Sequence, residues 1–462
     1  MSAIPVSTAA AAAVAGTAVA VPAAVLPSDA GIAVAGTVLC GLGFVLWPWA
    51  VLPIGIIGGS IASGLLGATD VRTFVVLHTL PLMAGCAALV VRRILLPTAV
   101  PARPSPSGVA MAGLAIATAV AAVYGLALGN QPWNVLVAAY QVAVIPAYYF
   151  LATCTLDTPR RLRAAAICYL STIAVLTAIE IATPGRHGGL LSALAVPPLM
   201  VLVGRTRGWQ RAGLVLLTAL FIADVVLASY RGIWLAAGAA VLIMLLRGGR
   251  VVRRGVLATV AGAVLLLGAI SLHSGVRDRS SAITVALQRD SGYRVPESAV
   301  GLEAFASQPL LGAGLGQSTP QVYVNGFTVT DVGPVYHAFW VMILANLGLL
   351  GLIAVLWPVA RTLRTGLAQH NGLPLAFAAL TCGFLGAAFF AGPTDGHWEL
   401  GLLPALTMLT SRFQSPLGHG GRRPDTSPCQ ASPTGWPGIT LDRPVTPSGR
   451  LDPRLMPTEQ RP

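Results

Sequence analysis

A few polar side chains stand out in an otherwise apolar chain, and their types suit chemistry between an anion and a hydroxyl. Arg231 lies in Ser229-Tyr230-Arg231-Gly232-Ile233-Trp234, where two apolar runs meet with almost no linker. An arginine in such a place is either an interface anchor or a working group. Asp224 stands seven residues earlier, about two helical turns down the same face. An acid inside an apolar run is costly enough to be a functional candidate; it could orient Arg231 or a neighbouring helix, or form a purely structural ion pair. Arg294 closes Asp290-Ser291-Gly292-Tyr293-Arg294, in a segment that also holds Arg277, Arg279 and Arg289. That segment is either a solvated basic loop or the source of a second guanidinium. Two guanidinium forks, Arg231 and Arg294, match a diphosphate bidentately.

His337 is the strongest candidate for proton transfer. It opens an apolar run, and the positive end of a helix dipole disfavours imidazolium, leaving a neutral ring that accepts a proton. The same helix end favours an anionic phosphate. The alternative is a hydrogen-bonded interface histidine. His187 and His397 are weaker competitors, and Asp395, His397 and Glu399 form a possible polar cluster whose spacing matches no known ligand pattern. Glu180 is a further acid near the end of an apolar run. Tyr293, Tyr323, Tyr336 and Trp340 are either sugar-stacking aromatics or interface aromatics.

Between the two arginines and the histidine runs Pro309-Leu310-Leu311-Gly312-Ala313-Gly314-Leu315-Gly316. A dinucleotide fingerprint would need a glycine where Gln317 stands and a strand before it, so nucleotide binding is rejected. A tight turn at Gly312 and Gly314 that brings backbone close to a partner accounts for the glycines better. Glu297 to Ser307 reads as a short amphipathic helix with Val300, Ala304 and Phe305 on one side, stopped by Pro309.

The elements that must position these groups are membrane spans. The chain is 55% hydrophobic and 10% charged, more apolar surface than one soluble core could bury. The fold class is therefore all-α, a polytopic membrane protein. Runs long enough to cross about 30 Å of hydrocarbon number about 12–14, one of them His337 to Trp357. The Ala-rich N-terminus lacks the charged start of a cleavable leader and reads as a first helix. The longest gap between spans, residues 273–336, is too long to be a passive connection. Residues 1–411 form the membrane domain, and 412–462, rich in Pro, Gly and Arg, read as a disordered tail.

Charge sets the orientation. All 29 basic residues are Arg and the net charge is +13, but their distribution follows the membrane and not a nucleic acid. Every second connection is Arg-rich: Arg92, Arg93 and Arg103; Arg160, Arg161 and Arg163; Arg205, Arg207 and Arg211; Arg247, Arg250, Arg253 and Arg254; Arg361 and Arg364. By the positive-inside rule these are cytoplasmic, as are both termini, and the long loop is extracytoplasmic. None of the six cysteines falls in that loop, and no Cys/His spacing resembles a zinc site, so no metal or other cofactor is expected.

The ordered motifs resemble the O-antigen ligase and O-antigen polymerase superfamily. They are Ser229-Tyr230-Arg231-Gly232 at the head of a span, a long outer loop with Arg294 and Pro309-Leu310-Leu311-Gly312-Ala313-Gly314, then His337 and Gly348-Leu349-Leu350-Gly351. The resemblance covers roughly residues 212–410. It implies a metal-independent glycosyltransferase of the GT-C kind, acting on the outer face of the cytoplasmic membrane. Its donor would be an undecaprenyl-diphosphate-linked glycan and its acceptor a glycan or lipid-linked chain, with membrane lipid around it. It further implies that His337 is the general base, while Arg231 and Arg294 bind the diphosphate. Asp224, Tyr293, Gly312 and Gly314 would support them. Ala338 follows the histidine where the family often has Asn or Ser, and Ser298 stands where a Trp is common. These departures bear on acceptor and subfamily more than on reaction class. The rival class is a transporter or flippase for the same lipid-linked glycans, which would line a central cavity with charge in both halves.

Overall fold

The computed structural model describes residues 41, 43–57, 71–95, 105–182, 189–228, 231–271, 294–317, 322–324, 327–329, 336, 338–390 and 397–414. After a short apolar helical stretch, Pro48–Ile57, the helices are α1 (Val71–Leu95), α2 (Pro106–Ala127), α3 (Pro132–Thr155), α4 (Pro159–Ala182), α5 (Leu190–Arg205) and α6 (Gly208–Leu227). They continue as α7 (Arg231–Arg247), α8 (Arg250–Ser271), α9 (Arg294–Ser307), α10 (Phe339–Leu367), α11 (Leu373–Ala387) and α12 (Glu399–Gln414). Two short antiparallel strands, β1 (Val322–Val324) and β2 (Phe327–Val329), pair Val322 with Val329 inside the long loop. Among the described residues the regular structure is otherwise helical, as the apolar runs require. The strands depart from the loop as read from sequence; a local ribbon satisfies its own backbone there without needing an apolar face.

Among the described residues, α2, α3, α4, α6 and α10 are long and apolar enough to cross a membrane, and α5 and α11 are shorter apolar helices. The chain is a polytopic membrane protein. The first helix expected in the Ala-rich N-terminus lies outside the described residues. Helix α12 continues through Arg412 to Gln414, into the first residues of the expected tail. The rest of the expected tail, 415–462, lies outside the described residues.

Local chemistry starts and stops these helices. Proline occupies the first turn of α2 and α3, where no intrahelical donor is lost, and Ser105 caps α2 by accepting the Gly108 amide at 3.0 Å. Prolines lie inside α3, α5, α10 and α12, as packed membrane helices tolerate. Burial separates centre from periphery: 67% of the apolar window of α3 is buried against 22% for α2 and 17% for α4. Helix α11 is central too, with nearly every side chain buried.

Small residues let these backbones approach, since lipid tails compete with any apolar side chain and only close fit favours association. A Cβ on Gly383 of α11 would lie 2.2 Å from the Ala236 carbonyl oxygen of α7, and one on Gly401 of α12 would lie 1.9 Å from that of Ile145 in α3.

The connections gather at two ends of the bundle. At one, the Gly249 amide donates to the His370 carbonyl at 2.7 Å and the His370 ring meets the Arg247 carbonyl. Gly372 lies against Arg205 and Gln414 at this end. These Arg-rich linkers define a basic end. The opposite end, here the loop end, carries the α2–α3 turn, the end of α11 and the heads of α10 and α12.

Candidate functional site

The long loop is fastened by a helix that is broken to receive it. Helix α10 is interrupted at Gly348, whose φ of 64° and ψ of −162° is backbone that essentially glycine alone adopts. The break leaves amides and carbonyls without intrahelical partners. The Pro309–Gly316 segment satisfies them: the carbonyls of Pro309 and Leu310 accept the amides of Leu349 and Leu350 at 2.9 and 3.2 Å, and the Ala313 amide donates to the Ala345 carbonyl at 2.8 Å. On its other side this strap rests on α2 and α3. A Cβ on Gly314 would lie 2.9 Å from Gly125 Cα, one on Gly316 would lie 2.4 Å from the Val135 nitrogen, and Asn130 donates its amide to the Leu315 carbonyl at 3.0 Å. Gly312 and Gly314 are thus a backbone-approach turn, as their spacing suggested, and the partner is the protein itself.

The break falls inside the expected span from His337 to Trp357, which is found as the apolar helix Phe339–Leu367. The first piece of α10, Phe339–Leu347, is about 13 Å long and ends at the strap. Its head is tied to the end of α11, because the Phe339 amide donates to the Ala388 carbonyl and the Trp340 indole donates to the Leu385 carbonyl, both at 3.0 Å. Both ends of this half-helix therefore meet the loop end of the bundle. The half-helix is roofed by α9, where a Cβ on Gly301 would lie 2.4 Å from a Val341 methyl and 2.8 Å from the Tyr336 ring. The expected amphipathic face is the one turned inward: Gly301 and Glu297 are buried and Val300, Ala304 and Phe305 half-buried, while Leu302 and Glu303 are exposed.

The candidate residues fall around this half-helix as follows. Arg294 is the first residue of α9, so its backbone starts the helix lying over Tyr336. His337 and Tyr293 lie outside the described residues. Arg231 is the first residue of α7, with an exposed side chain. Its level can be read from the Ala236–Gly383 contact: α7 and α11 run antiparallel, and five residues along each, about 7.5 Å, lead from that contact to Arg231 and to Ala388. Arg231 thus stands level with the carbonyl that holds the head of α10.

Asp224 is 2% exposed and accepts a hydrogen bond from the Ser192 hydroxyl at 2.6 Å, and Ser192 in turn meets the Thr177 hydroxyl at 3.2 Å. The acid orients neighbouring helices by joining α6 to α5 and α4. The turn into α7 is braced by the Trp234 indole, which donates to the Val225 carbonyl at 2.6 Å.

One pairing had only a weak signal in the sequence. His397 and Glu399, each 2% exposed, are joined directly through Nδ1 and Oε1 at the head of α12. The histidine ring packs on Phe339 with centroids 4.5 Å apart at 70°. Asp395, grouped with them by spacing, lies outside the described residues. The adjacent Trp398 stacks on Tyr148 of α3 at 5.4 Å.

No protein in a search of curated sequences matches the chain. A family model described as O-Antigen ligase matches residues 214–356, a span that opens in α6, contains Arg231, Arg294, the strap and His337, and closes in α10. Over that span the chain is similar to the O-antigen ligase family, as its ordered motifs implied.

Proposed function

We propose that this protein is a glycosyltransferase that transfers or polymerises an undecaprenyl-diphosphate-linked glycan on the outer face of the cytoplasmic membrane. The observation that carries this reading is the common level, at the loop end, of Arg231, the end of α11 and the head of α10, with α9 lying across it. The order of the helix starts supports the reading: α7 begins at Arg231, α9 at Arg294 and α10 two residues after His337, all inside the matched span.

The chemistry follows from the residue types. His337 takes the proton from an acceptor hydroxyl as its oxygen forms a bond to the anomeric carbon of the donor. The bond from that carbon to the diphosphate oxygen breaks, and the electron pair leaves with the lipid diphosphate. Arg231 and Arg294 hold the charge gained by the leaving group through bidentate hydrogen bonds, and so need no metal ion to do it. The strap and the broken helix keep the loop-borne groups in register with those on the membrane helices. The positive-inside rule supports this orientation, with the Arg-rich basic end toward the cytoplasm and the loop end toward the outer face.

The test is the size distribution of lipid-diphosphate-linked glycans in host cells lacking the protein, supplied with wild type or His337→Ala. Accumulated single repeat units identify a polymerase, and long chains stranded on the carrier identify a ligase. Full rescue by His337→Ala overturns the transfer mechanism and favours transport of the same glycans.

A further inference from the structure

The buried His397–Glu399 pair is not explained by the reaction just described. A carboxylate at Nδ1 draws the ring proton there and fixes the tautomer. The second carboxylate oxygen, Oε2 of Glu399, is buried with no hydrogen-bond partner among the described residues. A buried polar pair is weak support for a fold, because apolar residues of the same volume commonly serve as well. One with an unsatisfied oxygen is weaker still.

Nor does the fold need this pair as an anchor. The head of α10 is already tied by the Phe339 amide to Ala388 and by the Trp340 indole to Leu385, and the head of α12 by Trp398 on Tyr148. What the pair adds is a rigid imidazole edge-on to the Phe339 ring. Phe339 follows His337 by two residues in the sequence, so the contact bears on the head of α10, the helix that starts just after the proposed base. A side chain at a membrane surface has many rotamers, and productive proton transfer needs a narrow range of them.

We infer that His397 and Glu399 are positioning residues for glycan transfer: Glu399 holds the His397 ring, His397 seats Phe339, and Phe339 sets the backbone that aims His337. The inference rests on the transferase reading. It makes the last outer turn a working part of the site, although it lies beyond the 214–356 span.

The experiment is a double-substitution cycle on the full-length protein in detergent, with Glu399→Gln and Phe339→Leu made singly and together. Its donor is the lipid-diphosphate-linked repeat unit extracted from host cells. Each single change is expected to lower kcat about 10- to 100-fold, with KM for the donor within about twofold and the thermal midpoint near that of wild type. The double variant is expected to be no worse than the worse single one, since both act through one contact. His397→Asn is the second route should Glu399→Gln fail to accumulate, and the same kcat loss is expected of it. Wild-type kcat in Glu399→Gln or His397→Asn overturns the inference. So do losses that multiply in the double variant, or a lowered thermal midpoint with kcat per folded molecule unchanged. The transferase reading fails separately: His337→Ala as active as wild type sinks that reading, whereas an inactive His337→Ala beside a fully active Glu399→Gln sinks only the positioning role.

Discussion

Gly312 and Gly348 occlude one another's side-chain space. A Cβ on Gly312 would lie 2.7 Å from the Gly348 nitrogen, and a Cβ on Gly348 would lie 2.6 Å from the Gly312 nitrogen. Both have positive φ, 67° and 64°. This is where a loop enters a membrane helix and takes over its backbone hydrogen bonds, the one setting in which non-helical backbone is tolerated at such a place.

Alanine at either position is therefore expected to cost about 1–3 kcal/mol from backbone strain alone, with added loss from collision. The measurement is the thermal midpoint of purified protein in detergent. Gly386→Ala, in a helix with nothing within 4 Å of the new methyl, is the control. It should leave the midpoint unchanged or raise it slightly.

Asp224 should behave as a structural acceptor. Asp224→Ala removes the acceptor of the buried Ser192 hydroxyl, leaving it only Thr177, and is expected to lower stability by about 1 kcal/mol, while Asp224→Asn keeps an acceptor and should lose less. Transfer activity per folded molecule is expected to survive in Asp224→Asn. A complete loss there at normal stability would instead give the acid a direct part in the chemistry.

The two arginines and the histidine separate by kinetics. His337→Ala is expected to lower kcat by about 10²- to 10⁴-fold, the usual contribution of a general base. Arg231→Lys and Arg294→Lys keep the charge but lose the planar fork, so both should lower kcat/KM for the lipid-linked donor. Unchanged kcat/KM in Arg231→Lys would return that residue to the role of an interface anchor.

Orientation can be checked by labelling intact cells with a membrane-impermeant maleimide on a cysteine-free background. Leu310→Cys, 63% exposed on the strap, is expected to label from outside. Trp209→Cys, 93% exposed at the basic end, is expected to label only after the membrane is opened. The reverse pattern would place the loop end in the cytoplasm.

The sequence by itself determined the class of protein, because a chain more than half apolar must bury its surface in lipid and its backbone in helices. Motif order also determined the family resemblance over 214–356, and periodicity gave the inward face of α9. Positive φ was legible at Gly312 and Gly314, since a glycine-rich turn has few other uses. Which backbone the turn would meet was not legible, because Gly348 sits in an apolar run that reads as one continuous span, and only the carbonyls of Pro309 and Leu310 show where it breaks. The level of Arg231 with Ala388 likewise depends on antiparallel packing through Ala236 and Gly383, residues with no chemical signature. The joining of His397 to Glu399 needed tertiary structure as well: two residues at that spacing in a loop carry no pattern, and the fold alone buries them together against Phe339.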